Sequence, residues 1–470
     1  MTTAADLGAF VADRSPADLP PAVVDATKRR LLDAAGAVFA ADVLPGISAA
    51  TDAAGGDACT RWASDGARAG PASAAADNAA RLRASGAADV FLAPDGPSHP
   101  SDAIPACVAA AEYADADGAT LVTAVAAAYE VHGELAWHAP AREHGFGPAT
   151  HGALSAAAGA AVALGLDSEE ATNAIALAAD HASLDADATH RPVASANAAS
   201  AGVTAALRAA NGTSGPSGVF EAHPVLSALA VDPDDAPVES EDGAACEFAD
   251  EESEVACEFE GDGEHDHDHD DGFALDPACE RVHDALTPRY AGPLAAQPAI
   301  SAAADLAGRV ALDPADVERV TVQTFDAPAL DAPTSAVPET PTDAARSLPY
   351  AVACALTDRA FGPAHLTGES VADPDLRELA DAVTVAEDPG LTAQFDAGLM
   401  PAVIAVESAD GGVQHSTVGA YPGHPTQPMD WAALTAKVAA LTDAERAAAL
   451  REVCEDAEDG AVADVVAALA

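Results

Sequence analysis

The run from 145 to 207, GFGPATHGALSAAAGAAVALGLDSEEATNAIALAADHASLDADATHRPVASANAASAGVTAAL, narrows most what this chain can become. Small and aliphatic residues are too continuous here for helices with a broad solvent face. Such helices must be covered on most of their surface by other helices. The polar residues that interrupt the run, His151, Asp180, His181, Asp185, His190 and Arg191, fall where elements end and where a site can be lined.

Composition bounds the partners. The chain has 470 residues, room for two or more domains with a large core. Its 76 Asp and Glu against 21 Lys and Arg leave a formal charge of -55. That field repels nucleic acid and anionic membrane, and neither is expected as a partner. The acid is spread along the whole chain, so it reads as adaptation to concentrated salt rather than as a cation site. Cys59, Cys107, Cys246, Cys257, Cys279, Cys354 and Cys454 are scattered and lack CxxC spacing. Neither a disulfide framework nor a zinc site is indicated. The start MTTAADLGAFVADRSPADLP has no basic and apolar signal pattern, and the alanine runs are broken too often to span a membrane. A soluble, cytoplasmic protein is expected.

Helices are predicted over 5–13, 21–45 and 72–85. Lys28, Arg29 and Arg30 suit a salt-bridged face or a dimer contact. After Asp89 and Asp95, a Gly96-Pro97 break leads to Ser98-His99-Pro100-Ser101 and a helix starting near Asp102. A histidine just before a helix N-terminus is held neutral and suits an anion's oxygen, and the N–H groups of that helix start can receive a carboxylate. The same SHPS is also an ordinary Ser/Pro loop. Helices over 121–131 and 153–166 follow, joined by a connection with His132, His138, His144 and His151 in or beside it. These histidines lack metal-ligand spacing and read as surface or core hydrogen-bonders. Segments 169–179 and 194–210 continue the bundle, the latter carrying Asn197.

Residues 232–272 differ in kind. A duplicated ACEF and the run HDHDHD at 265–270 sit among acids, and the tract reads as a disordered acidic insert. Alternating imidazole and carboxylate suits weak divalent binding, but no rigid frame fixes a geometry. Beyond it, helices are predicted over 278–286 and 300–310, a strand over 317–324, a buried helix over 347–362, and a helix then a strand over 372–388. A hairpin is predicted over 400–418 around Asp410-Gly411-Gly412. The fold expected is mainly α: a large all-helical domain, 1–231 and 425–470, with an inserted smaller α+β domain at 275–424. The cleft between them is the default ligand site.

At this point the chain resembles the MmgE/PrpD family, which includes 2-methylcitrate dehydratases, cis-aconitate decarboxylases and iminodisuccinate epimerases. The residues that carry the resemblance are LGAFVADRSPADLPPAVVDATKRRLLD near the start, His99-Pro100-Ser101 with Ile104-Pro105-Ala106, the YEVHG beginning at Tyr129, and the SLPYAVACAL beginning at Ser347. The resemblance implies an all-helical domain with an inserted α+β lid domain, and a homodimer without organic or metal cofactor, acting on a small di- or tricarboxylic acid. It also implies His99, Asp89, His190 and Tyr350 as catalytic residues, with Ser101, Arg191, His151 and Arg346 as substrate contacts. Asp89 falls on the family's LDFDDT aspartate and would orient His99.

Several positions depart from the family pattern. Ala93 replaces the LDFDDT threonine, Gly147 and Pro148 stand where a histidine is expected, and His190 takes the place of a lysine. Ala295 and Arg346 replace two further histidines. Two readings follow: a lyase or isomerase of the 2-methylcitrate dehydratase kind, or a catalytically inactive paralogue that binds a polycarboxylate or a protein partner.

Overall fold

The computed structural model describes residues 3–41, 45–185, 190–230, 273–310, 316–328, 330 and 333–470. The acidic tract and its HDHDHD run lie outside the described residues, as do Cys246 and Cys257.

The first half is helical: α1 (Ala4–Ala12), α2 (Pro21–Phe39), α3 (Pro45–Ala54), α4 (Pro71–Ala84), α5 (Ile104–Ala114), α6 (Gly118–His138), α7 (Ala149–Leu164), α8 (Ser168–Ala178), α9 (Arg191–Ala210) and the one-turn α10 (Val219–Ala222). Two small hairpins punctuate it, β1 (Cys59–Thr60) with β2 (Arg68–Ala69), and β3 (Phe91–Ala93) with β4 (Gly96–Ser98). Part of the acidic excess serves as helix caps. Asp117 Oδ1 accepts from Thr120 N at 2.8 Å at the start of α6, and Asp167 Oδ1 accepts from Glu170 N at 2.9 Å at α8. These carboxylates satisfy N–H groups that the helix leaves open and sit at its positive end.

The alanine-rich run packs as α7 and α9 against each other and against α6 and α4. The approach is close enough to require glycine: a Cβ on Gly202 would lie 2.5 Å from the Ala156 Cβ, and one on Gly159 would lie 2.3 Å from Cys107 Sγ.

Three boundaries differ from expectation. α6 continues through the supposed connection to His138, because nothing in HGELAWH breaks a helix and the stop comes only before Pro140. His132 is therefore a helix-interior residue. α2 ends at Phe39 rather than near 45. The helix expected over 278–286 is only a 3-10 turn, Glu280–His283, flanked by Pro277 and Pro288. Carbonyls of Val282 and Ala285 there accept from the Arg30 guanidinium instead of continuing a helix.

The second half mixes helix and strand: α11 (Gln297–Arg309), β5 (Val317–Thr324), α12 (Pro341–Ala344), α13 (Leu348–Asp358), α14 (Gly368–Val371), α15 (Pro374–Asp381), β6 (Val383–Glu387), α16 (Pro389–Asp396), β7 (Ala402–Ser408) and β8 (Val413–Val418). The sheet order is β6-β5-β7-β8, with β5 and β6 parallel and the other pairs antiparallel. The β7–β8 turn places Gly411 at φ 82°, a conformation glycine adopts without steric cost. Ile300, Leu306, Val320, Val322, Val352 and Ile404 form a core of their own. A seam of Leu286, Phe325, Leu330, Leu391, Met400 and Tyr421 meets Leu92 of the β3–β4 hairpin.

The chain ends in α17 (Trp431–Leu441), α18 (Ala444–Glu455) and α19 (Val462–Leu469). Leu434, Val438, Leu450 and Val465 share the first core with Leu31 and Leu32 of α2. A buried ion pair joins them, Lys437 Nζ of α17 lying 2.6 Å from Asp33 Oδ1 of α2. The chain is mainly α. Among the described residues no helix is long and apolar enough to cross a membrane.

Candidate functional site

A cavity opens where the end of α4, the β4–α5 loop, α6, and the starts of α7 and α9 meet the 183–185 segment. Its charged and imidazole lining is Arg83, His99, Asp102, His132, Arg142 and Arg191, with Asp185 at the edge. On a chain so short of basic residues, three arginines line this one cavity, with Asp102 and Asp185 beside them.

His99 is placed by Asp89. The imidazole Nδ1 lies 2.9 Å from the Asp89 backbone oxygen. A carbonyl only accepts, so Nδ1 carries the proton and Nε2 keeps a lone pair. Burial, and then the nearby Arg83, push the His99 pKa well below the usual imidazole range, so the ring is neutral near pH 7. The Asp89 carboxylate works on the scaffold side of that loop: Oδ2 accepts from Tyr129 OH at 2.6 Å, and Oδ1 accepts from Ser101 N at 3.3 Å. Arg30 Nε of α2 lies 3.8 Å from Oδ2. Asp89 thus meets His99 through its carbonyl rather than its side chain.

His132 enters from α6, with Nε2 3.1 Å from Ser98 Oγ and Nδ1 3.4 Å from Ser155 Oγ. Burial lowers its pKa to about 3, so this ring too stays neutral. Asp102 lies in the 3-10 turn Pro100–Ala103 that follows His99. Its Oδ2 accepts from the Ser195 hydroxyl of α9 at 2.5 Å. Arg142 is braced from behind: its backbone N donates to Asp95 Oδ2 at 2.8 Å and its Nη2 to the Pro97 carbonyl at 2.6 Å.

Of the residues expected from sequence, His99 and Arg191 line this cavity, and Asp89 and Ser101 stand directly behind it. His151 is buried in the first turn of α7, where its Nε2 donates to the Ala139 carbonyl at 2.8 Å and its ring stands edge-on to His132 at 6.3 Å. It supports the wall without reaching the lining. His190 sits just before α9, makes no capping hydrogen bond with its side chain and is exposed, outside the cavity lining. Tyr350 is not brought to the cavity, because it is fully buried in the second core with its hydroxyl donating to the His365 carbonyl at 2.9 Å. Arg346 is exposed just before α13 and does not line the cavity either.

Position 147 is tightly overbuilt. Gly147 N donates to the Ser183 carbonyl at 2.7 Å, and a Cβ there would lie 3.1 Å from Asp185 Cα and Leu184 O. A side chain at 147 would crowd the backbone of the 183–185 segment, which would have to give by a few tenths of an ångström to admit it.

Sequence reasoning passed over Arg83, Asp102, His132, Arg142 and Ser195. Two of these carried a readable signal: Asp102 follows His99 by three residues, and His132 belongs to the YEVHG stretch. Arg83 and Arg142 carried none, because an arginine near a helix end reads as surface until the fold turns it inward. Among the described residues no three His, Cys, Asp or Glu side chains gather to hold a metal ion.

The comparisons agree with this architecture. The chain matches the MmgE/PrpD N-terminal domain over residues 5–238 and the MmgE/PrpD C-terminal domain over residues 290–459. It belongs to the MmgE/PrpD family. The second match runs through α17 and α18, which pack in the first core, so the family's sequence halves do not coincide with the two cores. A search among curated proteins found no match.

Proposed function

We propose that the protein is a lyase or isomerase acting on a small di- or tricarboxylic acid bound in this cavity, with dehydration of a 2-methylcitrate-like hydroxy acid the nearest reaction. The observation that carries the reading is the convergence of Arg83, Arg142 and Arg191 on a cavity that also holds the neutral imidazole of His99. Guanidinium forks match carboxylates in shape and charge. A carboxylate held this way makes the proton on its neighbouring carbon easier to remove, because the guanidinium also stabilises the enolate-like charge that develops. The lone pair on His99 Nε2 is the base for that proton.

In this reading the second core, with the sheet β6-β5-β7-β8, is an insertion that acts as a lid over the first, and the working unit is a cytoplasmic homodimer adapted to high salt. Support comes from the return of α17–α19 to the first core and from the charge of -55. Two observations favour a non-catalytic binder instead: Tyr350 and Arg346 stand away from the cavity, and a side chain at position 147 would crowd the 183–185 backbone.

The test is incubation of purified protein in concentrated salt with 2-methylcitrate, citrate, cis-aconitate and iminodisuccinate, followed by NMR of each mixture. Turnover of one of them that is lost in His99→Ala is the expected result. Saturable binding without turnover selects the binder, and neither binding nor turnover removes the polycarboxylate reading altogether.

A further inference from the structure

Resting on the polycarboxylate reading above, we propose that Asp102 is the proton donor of this site, the acid that protonates a leaving hydroxyl while His99 accepts the carbon-bound proton. Asp102 and His99 share one turn of chain and one cavity. Asp102 Oδ2 is engaged by the Ser195 hydroxyl. Oδ1 is out of contact with solvent and has no hydrogen-bond partner among the described residues. An ionised oxygen left so is costly to bury. A proton on Oδ1 removes that cost and turns the oxygen into a donor in need of an acceptor, which a ligand hydroxyl supplies.

The surroundings set the titration. Burial raises the Asp102 pKa to about 6 against Arg83 of α4 and the Ser195 hydrogen bond, which lower it, while Asp89 raises it further. His99 on its own turn, His132 of α6, Arg142 after α6, Asp185 and Arg191 of α9 complete the charged and titratable lining of the cavity. A polycarboxylate entering beside Asp102 adds negative charge and favours the protonated form.

The step balances without a further reactant. The C–H bond breaks and its proton goes to His99 Nε2. The electron pair forms the C=C bond, the C–O bond breaks, and the leaving hydroxyl takes the Asp102 proton to depart as water. The site is left with an imidazolium and a carboxylate, and passing one proton from the first to the second through solvent restores it.

The experiment is titration calorimetry of tricarballylate, a tricarboxylate without a hydroxyl to lose, in buffers of different ionisation enthalpy across pH 5 to 8. Proton uptake is read as the difference between wild type and Asp102→Asn, which cancels the ligand's own ionisation. We expect wild type to take up about one proton more than D102N above pH 6, with affinity falling about tenfold further per pH unit. Turnover in D102N falls by about 10² to 10⁴-fold. Ser195→Ala, which removes a hydrogen bond favouring the carboxylate, moves the midpoint to higher pH. Equal proton uptake in wild type and D102N overturns the assignment of Asp102 while leaving the polycarboxylate reading intact. Absence of tricarballylate binding by wild type overturns both.

Discussion

Tyr129 donates its hydroxyl to Asp89 Oδ2 across 2.6 Å, joining the middle of α6 to the loop that carries His99. Arg30 of α2 faces the same oxygen at 3.8 Å, so two helices of the first core hold one side of the loop. The carbonyl of Asp89 holds the imidazole on the other side. Tyr129→Phe leaves a buried carboxylate short of one donor. The expected loss is about 1–3 kcal/mol of stability, read by chemical denaturation at constant salt. An unchanged unfolding midpoint would show that the loop is held without this bond.

Arg83→Gln and Arg191→Gln each remove one guanidinium from the cavity lining. Hydrogen bonds to charged groups contribute about 1.5–3 kcal/mol, so each substitution should weaken tricarballylate binding roughly 10- to 150-fold. Calorimetry reads this directly. If both variants bind as tightly as wild type, the carboxylates do not sit among these arginines.

Glu130 makes stability depend on pH. Burial raises its carboxyl pKa to about 8, although the N–H groups of Asp276 and Arg281 donate to it and pull the other way. In the unfolded chain the group titrates near 4.5. Between those values the native state holds the extra proton, so stability falls as pH rises from about 4.5 to about 8, at up to ~1.4 kcal/mol per pH unit. It levels off above that window. Glu130→Gln removes this contribution, and its unfolding free energy should drop less than that of wild type between pH 5.5 and 7.5. Parallel slopes for the two proteins would contradict the assignment.

Lys437 bonds to Asp33 Oδ1 at 2.6 Å and to the Ala87 carbonyl at 2.7 Å, all within the first core. Lys437→Met strands a buried carboxylate, and about 3–5 kcal/mol should be lost. Adding Asp33→Leu removes the stranded charge and should recover much of that loss. Calorimetric melting of the single and double variants checks this, and equal losses in both would rule out an uncompensated charge as the cause.

The helical scaffold was legible in sequence because alanine-rich periodicity and acidic caps are local signals. So were the strand over 317–324 and the hairpin around Gly411. Less legible was where a regular element stops. α6 runs on to His138 because a break needs Pro140, and this turned His132 from a loop residue into part of the cavity wall. The helix expected over 278–286 failed for a tertiary reason, since Arg30 from a distant helix draws its carbonyls. The motifs pointed to His99 and Arg191, which line the cavity, whereas Arg83 and Arg142 reach it only through helix packing and a loop brace. Tyr350 illustrates the opposite failure: a residue in a family motif is turned into a core, where its hydroxyl meets a backbone carbonyl.

The glycine and alanine contacts between α7 and α9 have a consequence for selectivity. Gly152 and Ala198 lie on the cavity lining, and a Cβ on Gly152 would stand 3.5 Å from the Ala198 Cβ. Further along the same pair, Gly202 and Ala156 leave no room for another methyl group. The spacing of these two helices therefore sets the gauge of the chamber, and a single added carbon at a position remote from any charge would widen or narrow it. If the proposed polycarboxylate is the ligand, discrimination between a short and a branched acid changes at such positions while every arginine and imidazole stays where it is.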